Sequence, residues 1–247
     1  MKTAILITGH PRTYNKTVRS LFENCISANK SDVFLSVWSH NENGSEINIP
    51  DLQDSYSPIC IDVSSASDYE SIREPFLLLD RDDDCFKKNI RAYLSIKTNG
   101  IRQIERIRSQ WYRVKRGMDM ICSRGDYDVV LRTRFDISFK EKLDMSKVDI
   151  NSSRYYIPSL LESVRQDHYI HCGLTTPVMT DHWCYGSLNS MKKYGSLYDS
   201  ILPMYRDENI PVSNAEEMFS YFMSTRVGAE HYINSIPYEL VTERNSL

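Results

Sequence analysis

Apolar residues along this chain fall into two rhythms. Ala4–Thr8, Asp32–Trp38, Ile59–Val63 and Tyr127–Asp136 are short runs rich in Val, Ile, Leu and Phe, bounded by polar or turn residues, the pattern of buried strands. Between them the period changes to that of a helix. Asn15–Ser27 carries Val18, Leu21, Phe22 and Ile26 on one stripe. Ile90–Cys122, with a break at Asn99-Gly100, repeats Ile101, Ile104, Ile107, Trp111, Val114, Met118 and Ile121, which predicts Trp111 as a core residue. Further on, Tyr155–Pro158 and Asp181–Leu188 read as short strands, and Ser187–Tyr198 and Asn214–Thr225 as helices. Asn214 is positioned to cap the second of these, with Glu216 and Glu217 in its first turn. Asn41–Pro58, rich in Asn, Ser and Pro, reads as a loop or insertion. Strands alternating with helices predict a single α/β domain with a mostly parallel central sheet flanked by helices.

Composition narrows the function classes. Over 247 residues the formal net charge is -3, which gives no reason to expect a nucleic-acid partner. No apolar run approaches the roughly 18 residues of a membrane span. Met1-Lys-Thr-Ala-Ile-Leu-Ile-Thr-Gly lacks the long apolar region and cleavage site of a signal peptide and reads as a first strand. Cys25, Cys60, Cys85, Cys122, Cys172 and Cys184 form no Cys-x-x-Cys pair, and free thiols in a reducing cytoplasm are the expectation.

The chemistry concentrates where Asp128-Val-Val-Leu-Arg-Thr-Arg-Phe-Asp136 changes character. Arg132, Arg134 and Asp136 alternate after the apolar run, which puts them on one face at the carboxyl end of a core strand. Ligands bind at that end of open α/β sheets, and buried guanidiniums are costly without a partner. The segment therefore predicts an anionic-ligand site, against the simpler reading of a structural ion pair. Gly9-His10-Pro11-Arg12 follows the first strand and precedes a helix, where backbone amides and an arginine can cradle phosphate. Asp126-Tyr-Asp128 lies at the other end of the strand, up to roughly 26 Å from Asp136 along an extended chain, so the two ends serve no common site. Asp80–Asp84 lacks the glycine and terminal glutamate of a calcium loop and reads as a solvated charge run. Asp136 is the better ligand for Mg²⁺ or Mn²⁺ held jointly with substrate phosphates. His168, His171, Cys172, His182 and Cys184 match no standard structural zinc spacing. Asp181 could serve as a general base, with Trp183 either stacking on a sugar or filling the core.

Four segments together resemble a family of small bacterial and viral glycosyltransferases of the GT-A (Rossmann-like) fold, found with polysaccharide biosynthesis functions. They are Ile7-Thr-Gly-His-Pro-Arg-Thr-Tyr14, Gln110-Trp-Tyr-Arg-Val-Lys-Arg116, Asp128–Asp136 with Arg-x-Arg-x-Asp in place of Asp-x-Asp, and Asp181-His-Trp-Cys-Tyr-Gly-Ser187. Ala215-Glu-Glu-Met-Phe219 is a fainter fifth. The resemblance implies a cytoplasmic transferase that uses a nucleotide sugar and a glycan or lipid-linked acceptor, with peripheral contact at the inner face of the plasma membrane where the acceptor is lipid-linked. It implies a nucleotide-binding half over 1–140 and an acceptor-binding half over 141–247. Gly9, His10 and Arg12 would border the nucleotide, and Arg116, Arg132 and Arg134 would meet the donor or its diphosphate. Asp136 would hold a divalent cation, Asp181 would be the acceptor base, and Glu216 the second candidate for that role. Two other classes remain open: a phosphosulfate-dependent sulfotransferase, whose Pro-Arg/Lys-Ser/Thr loop the 9–14 turn resembles in part, and a non-catalytic carbohydrate- or nucleotide-binding module.

Overall fold

The computed structural model describes residues 1–41, 44–72, 100–158, 179–206, 215–227, 231–234 and 236–242. The acidic run Asp80–Asp84, the helical stretch expected over 90–99, Cys85, His168, His171, Cys172 and the Asn214 cap all lie outside these residues. In chain order the elements are β1 (Thr3–Thr8), α1 (Tyr14–Leu21), β2 (Asp32–Trp38), α2 (Ile49–Tyr56), β3 (Cys60–Ser64) and α3 (Gly100–Arg124). Then follow β4 (Val129–Arg134), β5 (Ile137–Phe139), β6 (Tyr155–Pro158), β7 (Cys184–Ser187), α4 (Leu188–Gly195) and α5 (Leu197–Arg206). The last described elements are α6 (Ala215–Phe222), β8 (His231–Asn234) and β9 (Tyr238–Leu240).

Among the described residues, seven strands form the main sheet in the order β3-β2-β1-β4-β7-β6-β8. β1 pairs in parallel with β2 and β4, and β2 with β3, while β7 alone runs against its neighbours β4 and β6. The mostly parallel α/β architecture expected from the alternating pattern is the one observed. β5 and β9 make a separate antiparallel pair.

The period of two along β1 decides which helix covers which face. Ile5 and Ile7 pack with Leu21, Cys25 and Ile26 from α1 and its continuation, and with Leu52 and Tyr56 of α2. Ala4 and Leu6 pack on the opposite face against Ile107, Trp111, Val114, Met118 and Ile121 of α3. The chain thus leaves β1 along one face and returns to β4 across the other, and the segment after β4 (Phe135, Ile137 and Phe139) packs on the same face as α1. Trp111, fully buried as its spacing predicts, meets Tyr194 of α4 at 5.0 Å and Phe219 of α6 at 5.5 Å between ring centroids. That contact fixes both later helices on α3. At Gly117 α3 lies close against the sheet: a Cβ there would overlap the Leu6 side chain. Gly117→Val is expected to cost about 1–3 kcal/mol by overpacking, readable as a lower urea midpoint at unchanged slope.

Three expectations need correction. Residues 49–56 are helical, not loop: Asn48 caps the helix by accepting from the Asp51 amide at 3.3 Å, and Pro50 sits in its first turn. The helix expected over Ser187–Tyr198 is two, capped by Ser187 and divided at Ser196. The strand expected to reach Asp136 ends at Arg134, and Asp136 lies in the turn before β5. Among the described residues Cys25, Cys60, Cys122 and Cys184 are free thiols, and no helix is long and apolar enough to cross a membrane.

Candidate active site

A cavity of about 690 Å³ occupies the crevice at the carboxyl ends of β1 to β4. Gly9, His10 and Arg12 enter it after β1, and Trp38, Ser39, His40 and Asn41 after β2. Ser65 and Ala66 come from beyond β3, and Phe135 and Asp136 from beyond β4. Gly9 has φ +109°, a backbone turn that glycine adopts at least cost and that lets the chain leave β1 sharply. Arg12, Arg106, Arg113, Arg132 and Arg134 line the cavity against Glu70, Glu105 and Asp136, so its wall carries an excess of positive charge.

The two arginines of β4 have different surroundings. Arg132 is fully buried. Its Nε donates to Thr8 Oγ1 at 3.1 Å, its Nη1 to the Asp181 carbonyl and to Tyr194 Oη at 3.4 Å, and its Nη2 has no hydrogen-bond partner. Arg134 is half-buried and reaches Asp136 with both prongs of its fork, Nε to Oδ1 at 2.9 Å and Nη2 to Oδ2 at 2.6 Å. Burial pulls the Arg134 guanidinium down, but Asp136 above all, then Asp181 and Glu216, outweigh burial and hold it above the ordinary arginine value. Both oxygens of Asp136 therefore already accept from a cationic side chain, whose charge opposes a divalent ion there.

Arg113, fully buried on α3, is the arginine that sequence reasoning missed. Its guanidinium lies over the rings of Trp38 and Tyr112 at 5.1 and 5.5 Å and pairs with Asp62 of β3 and Ser36 of β2. Burial, then the neighbouring charge of Arg116, pulls it down to about 9, still ionised at neutral pH. A signal was present. Arg106, Ser109, Gln110 and Arg113 follow the i, i+3, i+4, i+7 rule, a polar stripe beside the apolar one, and all four reach the cavity wall. Arg116, expected at the donor, is not on that wall; its Nη2 pairs with Asp62 Oδ1 at 2.7 Å.

Because β7 runs against β4, its entry segment Asp181-His182-Trp183 arrives beside Arg132 and Arg134. Asp181 is 2% exposed and does not line the cavity; Gln110 stands on the wall and donates its side-chain amide to Asp181 Oδ2. Burial would raise the Asp181 carboxyl, but Arg134 and Arg132 hold it below the usual carboxylate range, helped by Gln110 and His182. Glu216, in the first turn of α6, is half-buried, and burial and the charge of Asp181 raise it. Its neighbour Ala215, not Glu216 itself, lines the cavity. His182 Nδ1 is 2.8 Å from Tyr238 Oη on β9, and burial foremost pulls this imidazole below its ordinary value. Trp183 is fully buried between Phe139, Tyr185 and Tyr238 and is core. Asp128 accepts from the Lys2 amide at 2.7 Å, at the opposite end of the sheet from the cavity.

No family model matches the sequence, and no curated protein is similar to it in sequence. In structure the chain is similar to mouse xyloside xylosyltransferase 1 in its apo form, with a TM-score of 0.46 and 9% identity over 94% of this chain and 84% of that one.

Proposed function

We propose that this protein is a glycosyltransferase that moves a sugar from a nucleotide-sugar donor to a hydroxyl of a glycan or lipid-linked glycan, as in surface polysaccharide assembly. The observation that carries this reading is the arginine-lined cavity of about 690 Å³ at the carboxyl ends of β1 to β4. A nucleotide sugar needs cationic groups for its diphosphate and apolar rings for its base and sugar. Arg12, Arg132 and Arg134 supply the first, and Trp38 and Tyr69, on the β2 and β3 side, supply the second. In this reading residues 1–140 hold the donor and 141–247 contribute the acceptor side.

As the glycosidic bond breaks, negative charge grows on the departing diphosphate, and preorganised donors aimed at that charge lower the barrier. Arg134 is the principal donor, because its planar fork already binds one carboxylate in two-pronged fashion and a phosphate offers the same geometry. Arg132 spends most of its donors on the protein and has only Nη2 to offer. A resident guanidinium thus does at Asp136 the neutralising work for which other sites use a cation. Asp181, buried behind Gln110, is assigned to holding the two arginines in place rather than to taking the acceptor's proton. The carboxylates facing the cavity, Glu70, Glu105 and Asp136, are better situated for proton transfer.

Melting the protein with UDP-, GDP-, CMP- and dTDP-sugars, and with 3′,5′-adenosine bisphosphate, tests the reading. One sugar nucleotide is expected to raise the melting temperature by mass action. A rise with the bisphosphate alone would replace the transferase by a sulfotransferase, and no rise with any compound would contradict a nucleotide site.

A further inference from the structure

The acid group behind Arg134 offers a site of another kind, whose existence does not depend on the transferase reading. Among the described residues, Asp181, His182 and Glu216 are the one group of three His, Cys, Asp or Glu side chains whose potential ligand atoms, one from each, lie within 4.8 Å of one another. Around a bound ion, at metal–ligand distances of about 2.0–2.2 Å, such atoms stand roughly 3–4 Å apart, so a small side-chain movement closes the set.

Two observations beyond proximity point to a ligand. The first is that two of the three groups are held from behind. Gln110 donates to Asp181 Oδ2, which leaves Oδ1, and Tyr238 engages His182 Nδ1, which leaves Nε2. Partners of this kind fix the tautomer and orientation of a metal-ligating imidazole and carboxylate. The second is charge. Among the described residues, Asp136, Asp181 and Glu216 lie with Arg132 and Arg134, a formal balance of three negative against two positive charges. One divalent ion reverses that balance and relieves the repulsion between the two neighbouring carboxylates.

We propose that Asp181, His182 and Glu216 together bind one divalent cation, which ties the entry of β7 to the first turn of α6. One imidazole and two carboxylates suit Zn²⁺ or Mn²⁺ better than Ca²⁺ or Mg²⁺, which favour all-oxygen sets. None of the three residues lines the cavity, so the ion braces the wall that carries Gln110, Arg134 and Ala215 and does not sit on the ligand. It lies apart from the position at Asp136 that the sequence favoured for a cation.

The test uses the full chain stripped with chelator and dialysed. Calorimetric titration with ZnCl₂ or MnCl₂ is expected to give one ion per chain, and the melting temperature is expected to rise. Pulsed electron paramagnetic resonance of the Mn²⁺ form should show a single ¹⁴N coupling from His182. Glu216→Gln and His182→Ala should each weaken binding at least tenfold. Tyr238→Phe, which removes only the hydrogen bond behind the imidazole, should weaken it about 10–100-fold. Asp136→Asn, which removes a nearby charge but no ligand, should weaken binding less than either ligand substitution does. The proposal is overturned if no ion binds, if binding survives both Glu216→Gln and His182→Ala, or if Asp136→Asn abolishes it. Should His182→Ala fail to fold, absence of the nitrogen coupling in the unaltered protein overturns it instead. None of these readings uses a sugar nucleotide, so failure here leaves the donor-binding result standing.

Discussion

Replacing Arg134 by alanine is expected to slow donor cleavage by roughly 10²–10³-fold, the loss typical of removing one preorganised donor from a developing oxyanion. The fold should lose less than it does with Arg132, although Asp181 gives up one of the two arginines that hold its carboxyl ionised. Arg134 is half-buried, its ion pair with Asp136 is local to one turn, and pairs of that exposure contribute about 0–1 kcal/mol. Arg134→Lys should not restore the rate, because an ammonium cannot offer two parallel hydrogen bonds to a phosphate. The informative companion is Asp136→Asn. If Arg134 does the neutralising, removing its counter-charge frees it, and the donor should bind at least as tightly as before. If Asp136 instead holds a cation on the diphosphate, the same change should weaken donor binding and abolish cleavage. Equilibrium titration of the two variants with the donor found by melting separates the cases.

Arg132→Ala is expected to act on stability, at about 3–5 kcal/mol, the cost of removing one member of a buried charged network. Arg132 is fully buried and ties three parts of the chain together: Thr8 at the end of β1, the Asp181 carbonyl ahead of β7, and Tyr194 of α4. Its loss strands those acceptors and leaves Asp181 without one of the two arginines that hold its carboxyl ionised. For a chain of this size the melting temperature should fall by on the order of 10 °C. A melting temperature within about 2 °C of the unaltered protein would show that Arg132 is not structural. Two arginines two residues apart on one strand thus carry different burdens, one in the fold and one at the ligand.

That difference is not legible in Arg-x-Arg. Alternation places both side chains on one face, but burial depends on how far the strand runs before it meets the cavity, and the strand stops at Arg134. The apolar runs of β1, β2 and β4 were legible because each is buried on both faces of a parallel sheet, and the stripe around Trp111 because α3 is covered from Ile107 to Ile121. Helix α2 was not legible as a helix because it lies in a polar stretch rich in Asn, Ser and Pro, although Asn48 and Pro50 are start signals. β8 and β9, four and three residues long, are too short for a period of two to stand out. Asp181 looked like a base because it precedes an aromatic strand. Its burial follows from the antiparallel direction of β7, a fact of topology that no local pattern records. The polar stripe on α3 was legible in principle, yet the apolar stripe beside it drew the reading to Trp111 and away from Gln110 and Arg113.

The central claim, that this cavity breaks a sugar–phosphate bond, is tested most directly by following each stabilising sugar nucleotide by ³¹P NMR with the unaltered protein and with Arg134→Ala. The account predicts release of a nucleoside diphosphate, slow without acceptor and faster with it, and at least a hundredfold slower in the variant. A sugar nucleotide that binds and persists intact, with or without glycan acceptors, would contradict it and leave a binding module in place of an enzyme.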